Sequence, residues 1–298
     1  MTVGGKNIRI IISGGGTGGH LFPAISIANA LKRLEPSVEI LFVGAEGRME
    51  MQKVPEAGYD IEGLPVAGFI RSLTAKNISV AAKLFRSMLK ARKIVRRFAP
   101  DVVVGVGGYA SGPVLKQAQR MGIPTLIQEQ NSYAGVTNKL LAKNAARICV
   151  AYDGMEKYFP KGKIIKTGNP VRHTFENLEA LRSEALEFFK LSSGKPVILV
   201  LGGSLGAGTV NSSIGGGIGQ TEGAGVQVIW QTGSQYYDRM RGQTEAAGAQ
   251  NIRVMGFINR MDLAYAAADV IISRAGAGTI SELALVGKPV ILVPSPNV

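Results

Sequence analysis

Five glycines, a threonine and a histidine follow an apolar run in the stretch IIISGGGTGGH, residues 10 to 20. Because glycine has no Cβ atom, its backbone can approach a phosphate closely, and a following helix offers free N–H groups and the positive end of its dipole. His20 stands where that helix should begin. The dipole disfavours an imidazolium there, so we expect a neutral imidazole that can take a proton at pH 7. The stretch therefore predicts an anion-binding loop that carries a candidate general base.

Three further loops share this position and composition. They are GVGGYASGP at 105–113, LGGSLGAG at 201–208 and SRAGAGTISE at 273–282. Each follows a predicted strand, at the edge of the sheet where α/β proteins place their ligands. Anion binding is the chemistry that we expect all four loops to have in common.

A dinucleotide site is one alternative, because Gly14, Gly16 and Gly19 satisfy the spacing G-x-G-x-x-G. That fingerprint also requires an acidic residue about twenty positions further on, at the end of the second strand. Glu39 lies at the start of that strand, and Glu46 lies several residues beyond it. Dehydrogenases generally carry one such loop, whereas here each half of the chain has its own. A ligand with a diphosphate on one side and a second substrate on the other fits better.

The loops are positioned by strand-like runs that alternate with helix-period segments, which predicts parallel βαβ units. The runs are 8–12, 38–43, 102–106, 124–128 and 147–151, then 196–201, 226–230, 252–257, 270–273 and 289–293. The predicted fold class is α/β, with two Rossmann-like doubly wound domains, 1–167 and 168–298, that face a cleft. The chain ends on the strand of KPVILVPSPNV, where an open α/β domain ordinarily continues into a covering helix. We therefore expect the second domain to be incomplete at its C-terminus.

The formal net charge of +13 indicates an anionic partner. Much of the excess lies between Glu62 and Asp101, where nine cationic residues stand without one acidic residue. Apolar residues recur there at helical spacing, which predicts a basic amphipathic helix over 77–98. This helix either packs on the sheet with a solvated basic face or contacts an anionic membrane surface. A nucleic-acid surface is less favoured, because no aromatic side chains interleave with the charges.

Other features limit the classes of protein. Cys149 is the only cysteine, and with two histidines it cannot complete a standard zinc site. No apolar run approaches the length of a bilayer span, and the N-terminus lacks the pattern of a signal peptide. We therefore expect a cytoplasmic protein. The second histidine, His173, is interpreted as a surface or linker residue.

Eight motifs occur in an order that resembles the MurG family of bacterial glycosyltransferases, in glycosyltransferase family 28. They are GGTGGH, GGYASGP, QEQN, TGNPVR, GGSLGA, FINRM, AYAAAD and RAGAGTISELALVGKP. The resemblance covers essentially the whole chain. It implies the GT-B fold and transfer of N-acetylglucosamine, with inversion, from UDP-N-acetylglucosamine to lipid I, which gives lipid II. It also implies a peripheral protein on the cytoplasmic face of the inner membrane. The family's next motif, a glutamine-bearing segment that contacts the donor sugar, lies beyond Val298.

The resemblance also implies residue roles. His20 would be the base that deprotonates the attacking hydroxyl or a residue that positions the acceptor; the alternatives are that it only caps or packs the loop, or that Glu129 is the base. Ile258 would read uracil through its backbone, and Glu282 would accept hydrogen bonds from the ribose. The donor-binding residues are Thr17, Gly18, Gly19, Asn131, Arg172, Ser204, Ile258, Ala277, Gly278, Thr279, Ile280, Ser281 and Glu282. The acceptor loop comprises Gly107, Gly108, Tyr109 and Ser111. The membrane residues are Ile78, Phe85, Arg86, Met88, Lys90 and Lys93.

The leaving UDP needs its negative charge stabilised. No D-x-D motif for a divalent metal occurs in the sequence, so we expect helix N-termini at Ser204 and Gly278, together with Arg172, to do this without a metal or cofactor. Two other functions stay open. A UDP-sugar 2-epimerase would use the same nucleotide site without a lipid acceptor, and a non-catalytic scaffold would bind nucleotide or membrane only.

Overall fold

The structure is a computed structural model that describes residues 7–66, 76–172, 177–203 and 205–295. Of residues 76–81 it describes the backbone alone. The chain divides into two compact units, Met1–Val171 and Arg172–Val298. The division falls a few residues after the predicted boundary, and Arg172 belongs to the second unit in both. Three residues of the sequence predictions lie outside the described part: Ser204, His173 and the side chain of Ile78.

The first unit alternates strands and helices along its described residues. Its strands are β1 (Arg9–Ser13), β2 (Glu39–Ala45), β3 (Asp60–Leu64), β4 (Val102–Gly105), β5 (Thr125–Glu129), β6 (Arg147–Val150) and β7 (Ile164–Lys166). Its α-helices are α1 (Gly18–Leu34), α2 (Glu50–Glu56), α3 (Lys76–Phe98), α4 (Ser111–Arg120) and α5 (Val136–Ala142), and short 3₁₀ helices cover Met155–Lys157 and Lys161–Lys163.

These strands form one parallel sheet in the order β3-β2-β1-β4-β5-β6-β7. Successive side chains of a strand point to opposite faces. Ile11 accordingly packs in a core with residues of α3, α4 and α5, whereas Ile10 and Ile12 pack in a second core with residues of α1. Helices therefore cover both faces, and the carboxyl ends of the central strands β1, β4 and β5 lie side by side at one edge.

The second unit repeats this arrangement with fewer strands. Its strands are β8 (Val197–Leu201), β9 (Gln227–Gln231), β10 (Ile252–Met255), β11 (Val270–Arg274) and β12 (Val290–Val293), paired in parallel in the order β10-β9-β8-β11-β12. Its α-helices are α6 (Arg182–Phe188), α7 (Gly208–Gly216), α8 (Ile218–Gly223), α9 (Tyr237–Ala246), α10 (Met261–Ala267) and α11 (Ala277–Val286), preceded by a 3₁₀ helix over Leu178–Leu181. The predicted α/β class of parallel doubly wound sheets is confirmed for both units.

The helix after the loop 201–208 is short, as its glycine content predicts, but it begins at a later residue than expected. It begins at Gly208 rather than at Ser204, and it is divided at Gly217 into α7 and α8. Each glycine in a helix costs about 1 kcal/mol relative to alanine, which explains why the glycine-rich stretch does not form one long helix.

The basic helix α3 agrees with the predicted range and shows which of its faces is buried. Ser87, Ala91, Ile94 and Val95 are buried, so these residues form the packed face, and the last three belong to a core built from the sheet and α4. Phe85 and Leu89 are 66% and 54% exposed. The helix therefore packs through residues other than Phe85 and Leu89, with its basic face in solvent. Contact with a membrane surface stays a prediction. Among the helices that the structure describes, none has the length and apolar character needed to cross a membrane.

Candidate active site

The β1–α1 loop brings Thr17 and His20 together. Thr17 is the N-cap of α1, but its hydroxyl makes no capping bond to the helix backbone. Instead Thr17 Oγ1 lies 3.0 Å from Nδ1 of His20. Burial lowers the pKa of His20 below its ordinary value of 6.5, while the negative charges of Glu129 and Glu50 act in the opposite direction. A half-buried, largely neutral imidazole therefore stands at the start of α1, as the sequence predicts.

The β4–α4 loop closes over the His20 ring. Gly107 has φ +95°, and a Cβ atom built there would lie 2.7 Å from Cδ2 and 2.8 Å from Nε2 of His20. Gly108 has φ +84°, and its Cβ would lie 2.3 Å from the carbonyl oxygen of Gly15. Both positions require glycine for space as well as for conformation. The first loop and the predicted acceptor loop are thus in direct contact.

Two other residues of the β4–α4 loop differ in exposure. The hydroxyl of Ser111 is buried and donates to the carbonyl of Gly108 at 3.0 Å, which holds the loop at the start of α4. Tyr109 is 56% exposed. Of the predicted acceptor-loop side chains, Tyr109 is therefore the one presented to solvent, and Ser111 supports the backbone.

Glu129 ends β5 with a buried carboxylate that is surrounded by donors. Oε1 accepts from the backbone N–H and the side-chain amide of Asn131, at 3.1 and 3.2 Å. Oε2 accepts from the N–H of Gly135 and the amide of Asn138, both at 2.9 Å. Four donors match the number of hydrogen bonds that a carboxylate can accept. This geometry favours an organising role for Glu129 over that of a base, and it orients the predicted donor-binding residue Asn131.

A buried amide network extends from the same strand end. Gln130 donates through Nε2 to the carbonyl of Val106 at 2.8 Å and to Oε1 of Gln128. Asn169 donates to the carbonyl of Gln130 at 3.1 Å and accepts from Gln128 at 3.4 Å. These bonds tie the end of β5 to the β4–α4 loop and to the segment TGNPVR. Gln128 is part of this scaffold.

In the second unit, Glu282 of α11 lies between a cation and a phenol. Its Oε1 is 3.4 Å from Nε of Arg172, and its Oε2 accepts from the hydroxyl of Tyr265 at 3.3 Å. Burial raises the pKa of Glu282, while Arg172 and Tyr265 lower it. Burial and the charge of Glu282 raise the pKa of Tyr265, which therefore stays protonated and can donate. The structure thus brings together two predicted donor-binding residues, Arg172 and Glu282.

The remaining predicted residues of this unit lie at the start of α11 and in the core. Helix α11 begins at Ala277 after Gly276, and a Cβ built at Gly278 would meet no atom within 4 Å. The N–H groups of its first turn lack intrahelical partners, as in any α-helix. Ile258 is 1% exposed and belongs to the core beside α10, and its predicted contact with uracil through the backbone stays a prediction.

Two buried residues near these sites were missed by the sequence analysis. Glu50 accepts from the N–H of Gly16 and of Ala45 behind the β1–α1 loop, and Tyr265 donates to Glu282. Glu50 is the first residue of the short helix α2, and Tyr265 lies in the apolar run AYAAAD. The sequence offers one signal for each residue. Glu50 is an ionisable residue at the start of α2, and Tyr265 has a hydroxyl group inside an apolar run.

The chain matches known proteins over both units. Residues 10–150 match the model of the glycosyltransferase family 28 N-terminal domain, and residues 197–298 match that of the C-terminal domain. A relative from Phocaeicola vulgatus is 62% identical over 294 residues, which cover 98% of this chain and 78% of the relative. The chain belongs to glycosyltransferase family 28. The family expected from the eight motifs is thereby confirmed.

The relatives of this family 28 chain carry a full enzyme name. The protein from Phocaeicola vulgatus is a UDP-N-acetylglucosamine–N-acetylmuramyl-(pentapeptide) pyrophosphoryl-undecaprenol N-acetylglucosamine transferase. A relative from Porphyromonas gingivalis has the same name and is 58% identical over 292 residues, 98% of this chain and 77% of its own length.

Solved structures resemble this family 28 chain as well. MurG from Acinetobacter baumannii has a TM-score of 0.68 at 27% identity, covering 98% of this chain and 80% of that one. The UDP-GlcNAc 2-epimerase from Neisseria meningitidis has a TM-score of 0.67 at 14% identity, covering 96% and 82%. The epimerase resemblance concerns the fold alone.

Metal ligands do not cluster in the part of the chain that the structure describes, where no three His, Cys, Asp or Glu side chains are grouped to hold an ion. The expectation of a metal-independent reaction stays a prediction.

Proposed function

We propose that this chain transfers N-acetylglucosamine from UDP-N-acetylglucosamine to the lipid-linked muramyl pentapeptide, lipid I, and so forms lipid II in peptidoglycan synthesis. The observation that carries the proposal is the 62% identity along 98% of the chain to a transferase of that name. The chain is accordingly a hexosyltransferase. Its geometry supports a role for each unit.

The first unit would supply the base. The 4-hydroxyl oxygen of the muramyl sugar attacks the anomeric carbon, the bond from that carbon to the diphosphate breaks, and its electron pair leaves with UDP. Nε2 of His20 takes the hydroxyl proton when Nδ1–H is donated to Thr17, which lies 3.0 Å away. One such displacement inverts the anomeric carbon. The lowered pKa of His20 keeps the imidazole in the neutral form that the step requires.

The second unit would bind the nucleotide. The Glu282 carboxylate accepts hydrogen bonds from the ribose hydroxyls, and Arg172 and Tyr265 fix its orientation. The residues from Ala277 to Ser281 surround the nucleotide, and the N-terminus of α11 stabilises the charge that develops on UDP. Asn131 and the residues 17–19 would bind the donor from the first unit's loops. Tyr109 and Gly107 would contact the acceptor.

Helix α3 would attach the enzyme to an anionic membrane surface as a peripheral protein. Phe85 and Leu89 are exposed one helical turn apart, and Leu84 beside them is 39% exposed. The same helix carries exposed cations at Lys83, Arg86, Lys90, Arg92, Lys93 and Arg96. A helix that exposes both apolar side chains and cations is suited to the interface of an anionic bilayer. Met88 is half-buried, and Lys90 also pairs with Glu46 at 2.8 Å.

The proposal is tested by incubating the chain with radiolabelled UDP-N-acetylglucosamine and a lipid I analogue in detergent. We expect label in the lipid fraction only when the analogue is present, and the same yield with EDTA. Label that stays in a UDP-sugar, epimerised at C2 without an acceptor, would replace the proposal with the epimerase alternative. Nucleotide binding without turnover of either kind would support the scaffold.

A further inference from the structure

A buried carboxylate that none of the roles above includes lies directly behind the β1–α1 loop. Glu50 is the first residue of α2 and is 0% exposed. Its Oε1 accepts from the N–H groups of Gly16 and Ala45, both at 3.0 Å, and its Oε2 lies 3.1 Å from the same Gly16 nitrogen. The carboxylate therefore joins the end of β2 to the loop after β1.

Burying a carboxylate is costly unless hydrogen bonds compensate it, so a buried carboxylate between two strand ends needs an explanation. The compensation here comes from backbone N–H groups, which offer charge-assisted hydrogen bonds, and from the positive end of the α2 dipole. One of those N–H groups belongs to Gly16, immediately before Thr17. A displacement of Gly16 would move the side chain that contacts the His20 ring.

The loop also fits around the Glu50 side chain. A Cβ atom at Gly15 would lie 2.2 Å from Oε1 of Glu50, and one at Gly44 would lie 2.6 Å from its Cγ. Both glycines leave the space that the side chain occupies. Glycine at position 15 is thus explained by packing as well as by approach to a ligand, because the Glu50 carboxylate occupies the space that a Cβ atom of residue 15 would need.

We propose that Glu50 is a positioning residue for sugar transfer, which fixes Gly16 and through it the Thr17–His20 pair. This inference rests on the proposed function for the reaction that it serves. Glu50 does not touch the reacting atoms. Its charge also reaches the imidazole: Glu129 at the end of β5 and Glu50 on α2 are the two carboxylates that raise the pKa of His20 against the effect of burial.

The test compares Glu50→Gln with Glu56→Gln. Glutamine has nearly the same shape, but it removes the charge and places an NH₂ group where Oε2 faces the N–H of Gly16. Glu56 lies on the same helix, is 47% exposed and pairs with Lys53, so its substitution is a matched control. We expect Glu50→Gln to lower kcat by on the order of 10²-fold, with the KM for UDP-N-acetylglucosamine nearly unchanged. The acid limb of the pH profile should move to lower pH, which a merely destabilised protein would not show.

Hydrogen exchange at the Gly16 amide provides a measurement that does not depend on activity. We expect this amide to exchange faster in Glu50→Gln than in wild type or Glu56→Gln. Gly44→Ala is a second variant that displaces Glu50 while keeping its charge, and it should lower kcat in the same way. Wild-type kcat and an unmoved acid limb in Glu50→Gln would overturn the inference, as would unchanged exchange at Gly16. If wild type transfers no sugar, the proposed function fails, and Gly16 exchange alone then decides whether Glu50 anchors the loop.

Discussion

Nδ1 of His20 lies 3.0 Å from the hydroxyl oxygen of Thr17, three residues earlier in the chain. The tautomer of the ring decides what this contact does. If Nδ1–H donates to the threonine oxygen, Nε2 is the atom that can accept a proton; if the threonine hydroxyl donates, Nε2 carries hydrogen and cannot act as a base. Catalysis by His20 therefore requires the first arrangement, in which Thr17 accepts.

Thr17→Val removes the acceptor while nearly preserving the shape of the side chain. Because it leaves Nδ1–H without this partner, we expect kcat to fall roughly tenfold, in line with a lost hydrogen bond of about 0.5–1.5 kcal/mol. Thr17→Ser keeps the hydroxyl and should retain most of the activity. Steady-state kinetics at saturating donor measure the difference. Equal activities of the valine and serine variants would rule out this role of the contact.

His20→Ala should lower kcat by about 10²–10⁴-fold, which is the usual contribution of a general base. Binding of UDP, followed by calorimetry, should stay close to wild type because the nucleotide is assigned to residues of the second unit. Near-normal turnover with unchanged UDP binding would remove His20 from the role of base.

The pH dependence of kcat/KM follows from the direction of the His20 shift. A base is active when neutral, and burial lowers the pKa of His20 below 6.5. Activity should therefore be fully present above pH 6.5 and should be lost only as the pH falls through the lower pKa of the folded protein. An acid limb centred above pH 6.5 would contradict this prediction.

Gly107→Ala tests the packing of the two loops of the first unit. The new Cβ would lie 2.8 Å from Nε2 of His20, and φ at this position is +95°. We expect a loss of stability of about 1 kcal/mol or more from the strained backbone, together with lower kcat because the imidazole must move. Thermal unfolding and kinetics separate the two effects. Gly122→Ala offers a control, since Gly122 has φ +73° and a Cβ there would meet no atom within 4 Å.

Glu282 provides a second pH test, at the nucleotide. Burial raises its pKa, so the carboxylate becomes protonated at a higher pH than an ordinary glutamate. Hydrogen bonds from ribose favour the ionised form, and uridine should therefore bind more weakly as the pH falls through this raised value. Uridine is the preferred probe because it has no titrating phosphate. Glu282→Gln should abolish the pH dependence, and a dependence that persists in that variant would assign it to another group.

Membrane attachment through α3 is tested by sedimentation with vesicles that contain phosphatidylglycerol. Neutralising Arg86, Lys90 and Lys93 together should weaken binding by up to about 3 kcal/mol, since each cation near an anionic surface contributes about 1 kcal/mol. Phe85→Ser with Leu89→Ser should weaken it through loss of buried apolar area. The control neutralises three exposed cations elsewhere: Arg33, Lys161 and Lys195. Equal loss of binding in the control would show that net charge, and not helix α3, determines attachment to the vesicles.

Apolar runs predicted ten of the twelve strands in the part of the chain that the structure describes, because strands buried in a parallel sheet are nearly continuous runs of Val, Ile and Leu. The two that were missed, β3 with the sequence DIEGL and β7 with IIK, are edge strands that are short or carry charges. Their pairing depends on a neighbouring strand rather than on their own composition.

Local sequence also indicated part of the candidate site. His20, Arg172 and Glu282 stand in motifs whose residue types are typical of acid–base chemistry or of ligand binding. Glu50 is separated by 34 positions from the Gly16 amide that it accepts from. Only the folded structure shows that the two groups are within hydrogen-bond distance. Helix α3 shows the same limit, because composition identified its amphipathic character but only packing decided which apolar side chains are buried.

The contact between Gly15 and Gly108 has a consequence for how this enzyme can change over evolutionary time. The two loops meet backbone to backbone, and a Cβ at Gly108 would lie 2.3 Å from the Gly15 carbonyl. A mutation that adds a side chain at Gly108 can therefore be tolerated only if the backbone at Gly15 also moves. We therefore expect substitutions in the two segments, which lie more than ninety residues apart in the chain, to be correlated. Changes in acceptor specificity should instead arise at exposed positions such as Tyr109.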